Sequence, residues 1–274
     1  MSAAAITVLV PVKWYWPSYL RQALDSVRGQ TSPAWRLLVV CEPDNKTGVR
    51  ERIADHLDDD RAGLILNEGR KLAGALNTGM RHARTEFVAI LLGDDLWSPA
   101  AVEVLTQHIR SHPEADFLHS SRRIIDARGA EVGPVQRSRE DVRAEHFGPT
   151  SPVKHLLCWR RSMALAAGGM DETLNSVGAD DFDFPWLMAE QGAVFHAVPD
   201  CLYLYRQHRS CYRLTTHLPR SVHARELRRI LRKHGVGWLA TQRAVLAGRH
   251  GYMRQCLYRS PVDRWLKRRV GFQE

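Results

Sequence analysis

Two pairs of adjacent aspartates stand where carboxylates suit chemistry better than packing. Asp94 and Asp95 follow a strongly apolar segment and precede a helix that is predicted to begin beyond Pro99. One or two carboxylates can hold a hard divalent cation when diphosphate oxygens and water complete its coordination shell. Asp180 and Asp181 follow a glycine-rich segment and open a second predicted helix. A carboxylate in such a position can take a proton from a hydroxyl group.

Helix capping is a simpler explanation for both pairs. Acidic side chains are common at helix N-termini, where they accept hydrogen bonds from free N–H groups and complement the helix dipole. For Asp94 and Asp95 taken alone, the metal-binding and capping interpretations are equally well supported. The glycine-rich segment before Asp180 and Asp181 favours catalysis there, with capping left open.

The elements that must position these acids alternate regularly through the first hundred residues. The predicted strands cover residues 6–12, 35–41, 63–66 and 86–92, and the predicted helices lie around 20–27, 47–57 and 71–83. Such alternation indicates an α/β fold whose mostly parallel central sheet is flanked by helices. Ligands of such sheets gather beyond the carboxyl ends of the strands, so the loops after the strands are the first place to look for a site.

The regular alternation ends near residue 100. A helix is predicted to about residue 111, a strand at 115–120, a hairpin at 124–132 around Arg128-Gly129, and a mobile loop at 136–150. A helix at 182–191 and a strand at 193–205 follow, and the chain is predicted to be helical from Pro219 onward.

Several short segments follow one another in a specific order and spacing. They are Val10-Pro11-Val12, Asn67-Glu68-Gly69, Ala75-Leu76-Asn77-Thr78-Gly79, Asp94-Asp95, Gly168-Gly169-Met170-Asp171-Glu172, Asp180-Asp181 and Tyr205-Arg206-Gln207-His208-Arg209-Ser210. Together they resemble the inverting glycosyltransferases of family two, which have the Rossmann-like GT-A fold. The resemblance covers roughly the first 210 residues. It implies a GT-A catalytic domain over 1–215, with a nucleotide-sugar half at 1–100 and an acceptor half at 101–215, followed by a helical basic extension at 216–274.

The resemblance also implies roles for individual residues. Asp94 would contact the ribose, and Asp95 would coordinate Mn²⁺ or Mg²⁺ on the diphosphate, with His208 closing the metal site. Leu92 departs from the family pattern, because many members carry a further aspartate there, so which of the two remaining acids is the ligand stays open. Asp181 would be the base that activates the acceptor.

The expected donor-binding residues lie in the loops after the strands and in the motifs above. They are Pro11, Val12, Lys13, Glu42, Lys71, Asn77, Asp94, Asp95 and Arg206. Glu42 stands near the position where family members place an aspartate that hydrogen-bonds the base. For Lys71 and Arg206 an ordinary solvated surface position is an equally good explanation.

The predicted function is metal-dependent, inverting transfer of a sugar from a nucleoside-diphosphate sugar to a hydroxyl group. The family resemblance favours UDP as the nucleotide. The expected acceptor is a glycan, a lipid-linked glycan or a small molecule. Leu92 also permits an alternative, a catalytically inert relative that acts as a binding subunit. A nucleic-acid-binding protein is less well supported, because no basic sheet or recognition helix interleaved with aromatic residues is evident.

Positive charge is concentrated at the C-terminal end of the chain. The net charge of +9 divides into +14 for residues 202–274, which carry 17 basic and 3 acidic side chains, and −5 for the residues before them. Around Trp265 and Leu266, basic side chains surround an apolar helical face, a pattern typical of helices that rest on anionic lipid. A basic face exposed to solvent is the alternative.

The remaining composition favours a cytoplasmic protein, with peripheral contact to the inner face of the cytoplasmic membrane as a possibility. The five cysteines are scattered, which is not typical of a disulfide framework or a zinc site. No secretory signal and no apolar run long enough to span a membrane are evident.

Overall fold

The computed structural model of the protein describes residues 5–148, 150–174, 178–208 and 220–246. Its strands are Ile6–Val12 (β1), Trp35–Cys41 (β2), Ala62–Leu66 (β3), Phe87–Ile90 (β4), Leu96–Trp97 (β5), Phe117–Ile125 (β6), Leu157–Arg160 (β7) and Phe195–Arg206 (β8). They form one sheet in the order β3-β2-β1-β4-β7-β6-β8-β5.

Most strands of this sheet run in the same direction. β3, β2, β1 and β4 are mutually parallel, β7 is antiparallel to both β4 and β6, and β8 is parallel to β6. β6 and β8 therefore point the same way as β4, and only β7 and the short β5 run in the opposite direction. This arrangement confirms the mostly parallel sheet that the sequence predicts. It also brings the carboxyl ends of β1, β2, β4, β6 and β8 to one edge.

Helices cover both faces of the sheet. They are Pro17–Arg28 (α1), Lys46–Arg52 (α2), Ala54–Leu57 (α3), Lys71–His82 (α4), Ala101–Ser111 (α5), Arg161–Ala166 (α6), Phe184–Glu190 (α7) and Arg220–Lys233 (α8). The helix predicted at 47–57 is divided into α2 and α3 at Ile53, whose backbone leaves the helical conformation. The predicted hairpin is confirmed by the bridge between Ile125 and Glu131.

Two hydrophobic clusters fill the space between sheet and helices. Alternate residues of β1 belong to different clusters: Val8 and Val10 pack with α1 and α5, whereas Leu9 packs with α4, α7 and α8. Because both faces of the central strands are covered, those strands are continuously apolar instead of alternating.

The described part of the C-terminal extension belongs to the second cluster. Ala224, Leu227, Ile230 and Leu231 of α8 are buried there, together with Ala244 and Val245 from a further helix over residues 238–246. The basic amphipathic segment around Trp265 and Leu266 lies outside the described residues. Within the described part of the chain, no helix has both the length and the apolar character that a membrane crossing requires.

Asn77 joins the two halves of the domain. Its side chain accepts a hydrogen bond from the Met170 backbone N–H at 2.8 Å and donates to the Met170 carbonyl at 2.9 Å and to Glu172 at 3.1 Å. Gly169 has a φ of +74°, and a Cβ atom there would lie 2.6 Å from Oδ1 of Asn77. The segments Ala75–Gly79 and Gly168–Glu172, which contain these residues, therefore form a contact between α4 and the chain after α6.

Candidate active site

The acid pair at residues 94 and 95 lies in the turn between β4 and β5, next to the carboxyl end of β8. Asp95 is 1% exposed and accepts two hydrogen bonds from β8. The Tyr203 hydroxyl donates to its Oδ2 and the Arg206 backbone N–H donates to its Oδ1, both at 2.7 Å. The Asp95 N–H donates to the Leu92 carbonyl, which closes the turn. Asp95 therefore fastens this turn to β8.

Arg206 is fully buried although it carries a charged side chain. Its Nε donates to the Asp94 carbonyl at 2.8 Å, and one terminal nitrogen donates to the Gln22 side chain at 2.7 Å. The other terminal nitrogen faces the carbonyls of residues 126 and 127 at 3.4 and 3.3 Å. The guanidinium also lies over the Tyr19 ring. Arg206 thus links α1, the turn that carries Asp94 and Asp95, and the end of β6, and its predicted role in donor binding stays a prediction.

Burial shapes the ionisation of this cluster. Burial, and then the charge of Asp94, raise the pKa of the Asp95 carboxyl well above its usual value. Burial and the neighbouring Asp95 likewise raise the pKa of the Tyr203 hydroxyl. A buried carboxyl group that accepts two hydrogen bonds from one strand is suited to holding the turn between β4 and β5 in place. Both oxygens of Asp95 accept a hydrogen bond from β8, and which of the two acids binds a metal stays a prediction.

Asp94 faces the opposite way, toward His208. The Asp94 side chain is 33% exposed, and its Oδ2 lies 3.4 Å from Nε2 of His208, whose side chain is 5% exposed. The His208 ring is held against Tyr19 and Trp16. A carboxylate oxygen and an imidazole nitrogen at this separation are a donor set that suits Mn²⁺ or a similar cation.

The second acid pair lies on a single π-helical turn, Ala179–Asp183, that leads into α7. The turn starts at Gly178, whose φ is +51° and whose absent Cβ would be 3.0 Å from Oδ1 of Asp181. Glycine at this position therefore lets the Asp181 carboxylate fold back over the start of the turn.

Asp180 and three positively charged or titratable side chains influence the ionisation of Asp181. Burial, and then the charge of Asp180, raise the pKa of the Asp181 carboxyl, whereas His155, Arg122 and Lys154 oppose the rise. Burial lowers the pKa of the Lys154 ammonium. A carboxylate whose proton affinity is raised in this way is a stronger base than one in free solution.

The two acid pairs belong to one connected cluster. The His155 ring lies 5.2 Å from the Tyr203 ring, and its Nε2 lies 3.4 Å from Oδ2 of Asp180. Tyr203 in turn donates to Asp95. The acids expected at the donor and acceptor ends of the site are therefore in contact through two aromatic side chains.

The π-helical turn is anchored by the C-terminal extension. Asp183 is fully buried and accepts from Lys233 Nζ at 2.7 Å, and its other oxygen lies 3.0 Å from Nε2 of His234. His234 stacks on Trp186 with its ring centroid 4.2 Å away and contacts Glu190 through Nδ1. The end of α8 thus fixes the turn that carries Asp181.

The other expected donor-binding residues occupy the same edge of the sheet, with one exception. Pro11 and Val12 end β1, and Lys13 directly follows them and is exposed. Glu42 directly follows β2, and its Oε1 accepts a hydrogen bond from the Asn67 side chain at 3.2 Å. Lys71 is exposed at the start of α4. The exception is Asn77, which is 8% exposed and bonded to Met170.

Several residues of the site are not predicted by the sequence motifs. Tyr203 and His155 are single residues whose neighbours in space come from distant segments, so no local spacing identifies them. Arg122 lies on β6 and Lys154 lies shortly before β7, so the two charges that act on Asp181 come from segments that no local motif connects to it.

Comparison with known proteins identifies the family. The family model of glycosyl transferase family 2 matches residues 7–159, more than half of the chain, and the chain belongs to this family. Among curated relatives, the Escherichia coli protein WfgD, named as a UDP-Glc:alpha-D-GlcNAc-diphosphoundecaprenol beta-1,3-glucosyltransferase, is 35% identical over 116 residues, which are 40% of this chain and 45% of WfgD. The chain spans 22%, 16% and 59% of the lengths of three further curated relatives.

Solved structures share the fold. Residues 1–349 of S. aureus TarS in complex with UDP-GlcNAc match with a TM-score of 0.62 and 18% identity, over 84% of this chain and 66% of that TarS fragment. The mannosyltransferase PcManGT from Pyrobaculum calidifontis, in complex with GDP-Man and Mn²⁺, matches with a TM-score of 0.61 and 20% identity, over 98% of this chain and 80% of that protein. These matches confirm the GT-A fold expected from the sequence.

The buried contacts of Arg206 predict a large loss of stability on conservative substitution. Arg206→Lys keeps the charge but cannot reach Asp94, Gln22 and the end of β6 together, so we expect the free energy of unfolding to fall by about 3–5 kcal/mol. Urea denaturation measures this. Arg123→Lys is the matched control, because Arg123 forms an exposed ion pair with Glu131 and should change stability by less than about 1 kcal/mol. Equal stability of the two variants would contradict the structural role of Arg206.

Proposed function

We propose that the protein is a metal-dependent, inverting glycosyltransferase that transfers a sugar from a nucleoside-diphosphate sugar to an acceptor hydroxyl. The observation that carries the proposal is the convergence of two carboxylates of different character in one cluster. Asp94 is partly exposed and paired with His208, and the Asp181 carboxyl has a raised pKa because of burial and the charge of Asp180. Membership of glycosyl transferase family 2 supports the same assignment.

At the donor end we assign metal binding to Asp94 and His208. These two side chains would hold Mn²⁺ or Mg²⁺, which neutralises the charge that develops on the departing diphosphate. Asp95 and Arg206 act indirectly: Asp95 holds the turn on β8, and Arg206 fixes the Asp94 carbonyl. Lys13, Glu42 and the other residues at the carboxyl ends of β1 and β2 would border the nucleoside.

At the acceptor end we assign the general base to Asp181. Its carboxylate takes the proton of the acceptor hydroxyl. In the same step the hydroxyl oxygen forms a bond to the anomeric carbon, and the bond from that carbon to the diphosphate oxygen breaks. Attack from the face opposite the leaving group inverts the anomeric configuration, and no covalent enzyme intermediate is required. Arg122 and Lys154 keep the base ionised against the charge of Asp180.

For the substrates we propose a UDP-sugar as donor and a glycan or lipid-linked glycan as acceptor, with a small molecule as the remaining acceptor class. The name of the relative WfgD, which includes UDP-Glc and a diphosphoundecaprenol-linked sugar, supports both choices. The structures with UDP-GlcNAc and with GDP-Man show that this fold accommodates more than one base, so UDP and GDP are both tested below.

Nucleotide binding tests the metal assignment. We expect Mn²⁺ to tighten UDP or GDP binding, measured by isothermal titration calorimetry, and expect Asp94→Asn and His208→Ala each to weaken binding in Mn²⁺ by at least about 10-fold. Asp55→Asn is the control, since Asp55 is an exposed partner of Arg21. A stable Asp95→Asn protein that loses the metal response while Asp94→Asn keeps it would reverse the assignment of the two acids.

The pH dependence of transfer tests the base. Because the pKa of Asp181 is raised and the base must be ionised, kcat/KM should fall as the pH decreases through a value above that of an ordinary aspartate. Asp181→Asn should abolish transfer while nucleotide binding persists. Lys154→Gln removes a cation that lowers this pKa, so the acidic limb should move to higher pH, whereas Arg36→Gln, an exposed charge loss on β2, should leave it in place.

The inert-relative alternative has a distinct outcome in the same experiment. A protein that binds nucleotide with Mn²⁺ but shows neither transfer nor hydrolysis of any donor, with no difference on Asp181→Asn, would be a binding subunit. Detection of product that depends on Asp181 excludes that alternative.

We also propose that the C-terminal helices contact anionic membrane surfaces. Trp238, Leu239 and Leu246 are 64%, 68% and 56% exposed on the helix over residues 238–246, and Arg225 and Arg232 are exposed on α8 nearby in the chain. Apolar side chains beside arginines match the composition of interfacial helices.

Vesicle flotation tests this contact. We expect the full chain to bind phosphatidylcholine vesicles that contain phosphatidylglycerol, and expect binding to weaken at high salt and in the Trp238→Ser/Leu239→Ser variant. Val194→Ser, which also removes an exposed apolar side chain, is the control. Equal flotation of both variants, or none for the unmodified protein, would argue against membrane contact through this helix.

A further inference from the structure

We propose that His108, His112 and His196 form a binding site for a divalent transition-metal cation, Zn²⁺ in the first instance, separate from the site at Asp94. The function proposed above does not use these three histidines. They form the one group of three or more potential metal-ligating side chains found within the described residues, with ligand atoms all within 4.8 Å of one another.

The site is built from two packed elements. His108 lies in the last turn of α5, and His112 directly follows the helix, where its backbone N–H donates to the His108 carbonyl at 2.9 Å. His196 lies at the start of β8, against which α5 packs. Nδ1 of His108 is 2.8 Å from Nε2 of His196, and the His112 ring centroid is 3.9 Å from that of His196.

The cluster is remote from the proposed donor site. His196 and Arg206 mark opposite ends of β8, and ten residues of extended chain span about 30 Å. A cation bound at the histidines would therefore be independent of one bound at Asp94 and His208.

The chemistry of the three side chains suits a borderline cation. Neutral imidazole is a preferred ligand of Zn²⁺, Ni²⁺ and Cu²⁺, and three protein ligands with an open fourth position are common for zinc. The exposed carboxylates of Glu114 and Asp200 act on the cluster with a charge that also favours a cation.

The His112 ring has a hydrogen-bonding neighbour of the kind that ligating histidines use. Its Nδ1 lies 3.0 Å from the Ser111 hydroxyl, and a hydrogen bond at one ring nitrogen is usual for a histidine that binds a metal through the other. Tetrahedral zinc with bonds of about 2.0–2.1 Å places its nitrogen ligands about 3.3 Å apart. Side-chain rotation of the partly exposed rings is needed to bring all three nitrogens from within 4.8 Å to that spacing.

A cation held by these residues would join α5 to β8 near the edge of the sheet. Because it would bind the folded arrangement and not the separated segments, it would raise the melting temperature by mass action. The proposed role is therefore a metal clip that stabilises the sheet's β8 side.

Metal binding to tag-free full-length protein tests the proposal, with the Asp94→Asn variant as the background so that the donor site does not contribute. We expect equilibrium dialysis to give one Zn²⁺ per chain, a rise in melting temperature with Zn²⁺, and visible d–d absorption with Co²⁺. Adding His196→Gln or His112→Gln should weaken Zn²⁺ binding by at least about 10-fold and remove the thermal shift. His146→Gln and His82→Gln, which alter partly exposed histidines elsewhere, are controls that should retain both.

Each outcome of these measurements either supports or contradicts the histidine metal site. Absence of Zn²⁺ binding in the Asp94→Asn background, or binding that persists unchanged in folded His112→Gln protein, overturns the proposal. If His196→Gln does not fold, His112→Gln decides, since His112 lies at the helix end. Failure of the donor-site assignment leaves this result unaffected, because the readout is Zn²⁺ binding and not nucleotide binding or transfer.

Discussion

The site depends on one buried cation. Arg206 is fully buried at the end of β8, where its guanidinium joins the Asp94 carbonyl, the Gln22 side chain and the carbonyls that follow β6. Burying a guanidinium is costly unless its donors are satisfied, so the surrounding chain is constrained to present acceptors on several sides. Those acceptors come from α1, the acid turn and β6, and their common attachment to Arg206 fixes the relative positions of the elements around the donor site.

The same strand end also couples the two chemical ends of the site. Tyr203 donates to Asp95 and packs near His155, and His155 lies beside Asp180. A change in position or charge at one acid pair is therefore felt by the other through directly contacting groups. In-line displacement requires a base and a leaving-group site at a fixed separation, and under the function proposed above these aromatic contacts would connect the two.

Local sequence patterns predict the fold and single out the two acid pairs, but they do not predict how the surroundings of neighbouring acids differ. The strands and most helices follow from apolar runs and helical spacing, which are local properties, and the structure confirms the mostly parallel sheet. The different burial of Asp94 and Asp95 depends on which carboxylate β8 covers, and β8 is about 100 residues away in the chain. The buried positions of Asn77 and Arg206 likewise follow from partners in distant segments, Met170 and Gln22, that no motif specifies.

The described part of the C-terminal extension packs on the second hydrophobic cluster and holds part of the proposed site. The expected boundary near residue 216 separates a catalytic body from a basic tail by charge, yet Lys233 and His234 together hold Asp183 in the turn that carries Asp181. A buried carboxylate needs such partners, because an unpaired charge there would cost several kcal/mol. The excess of positive charge after residue 202 therefore has at least one structural cause: some of these residues neutralise an acid that the π-helical turn buries.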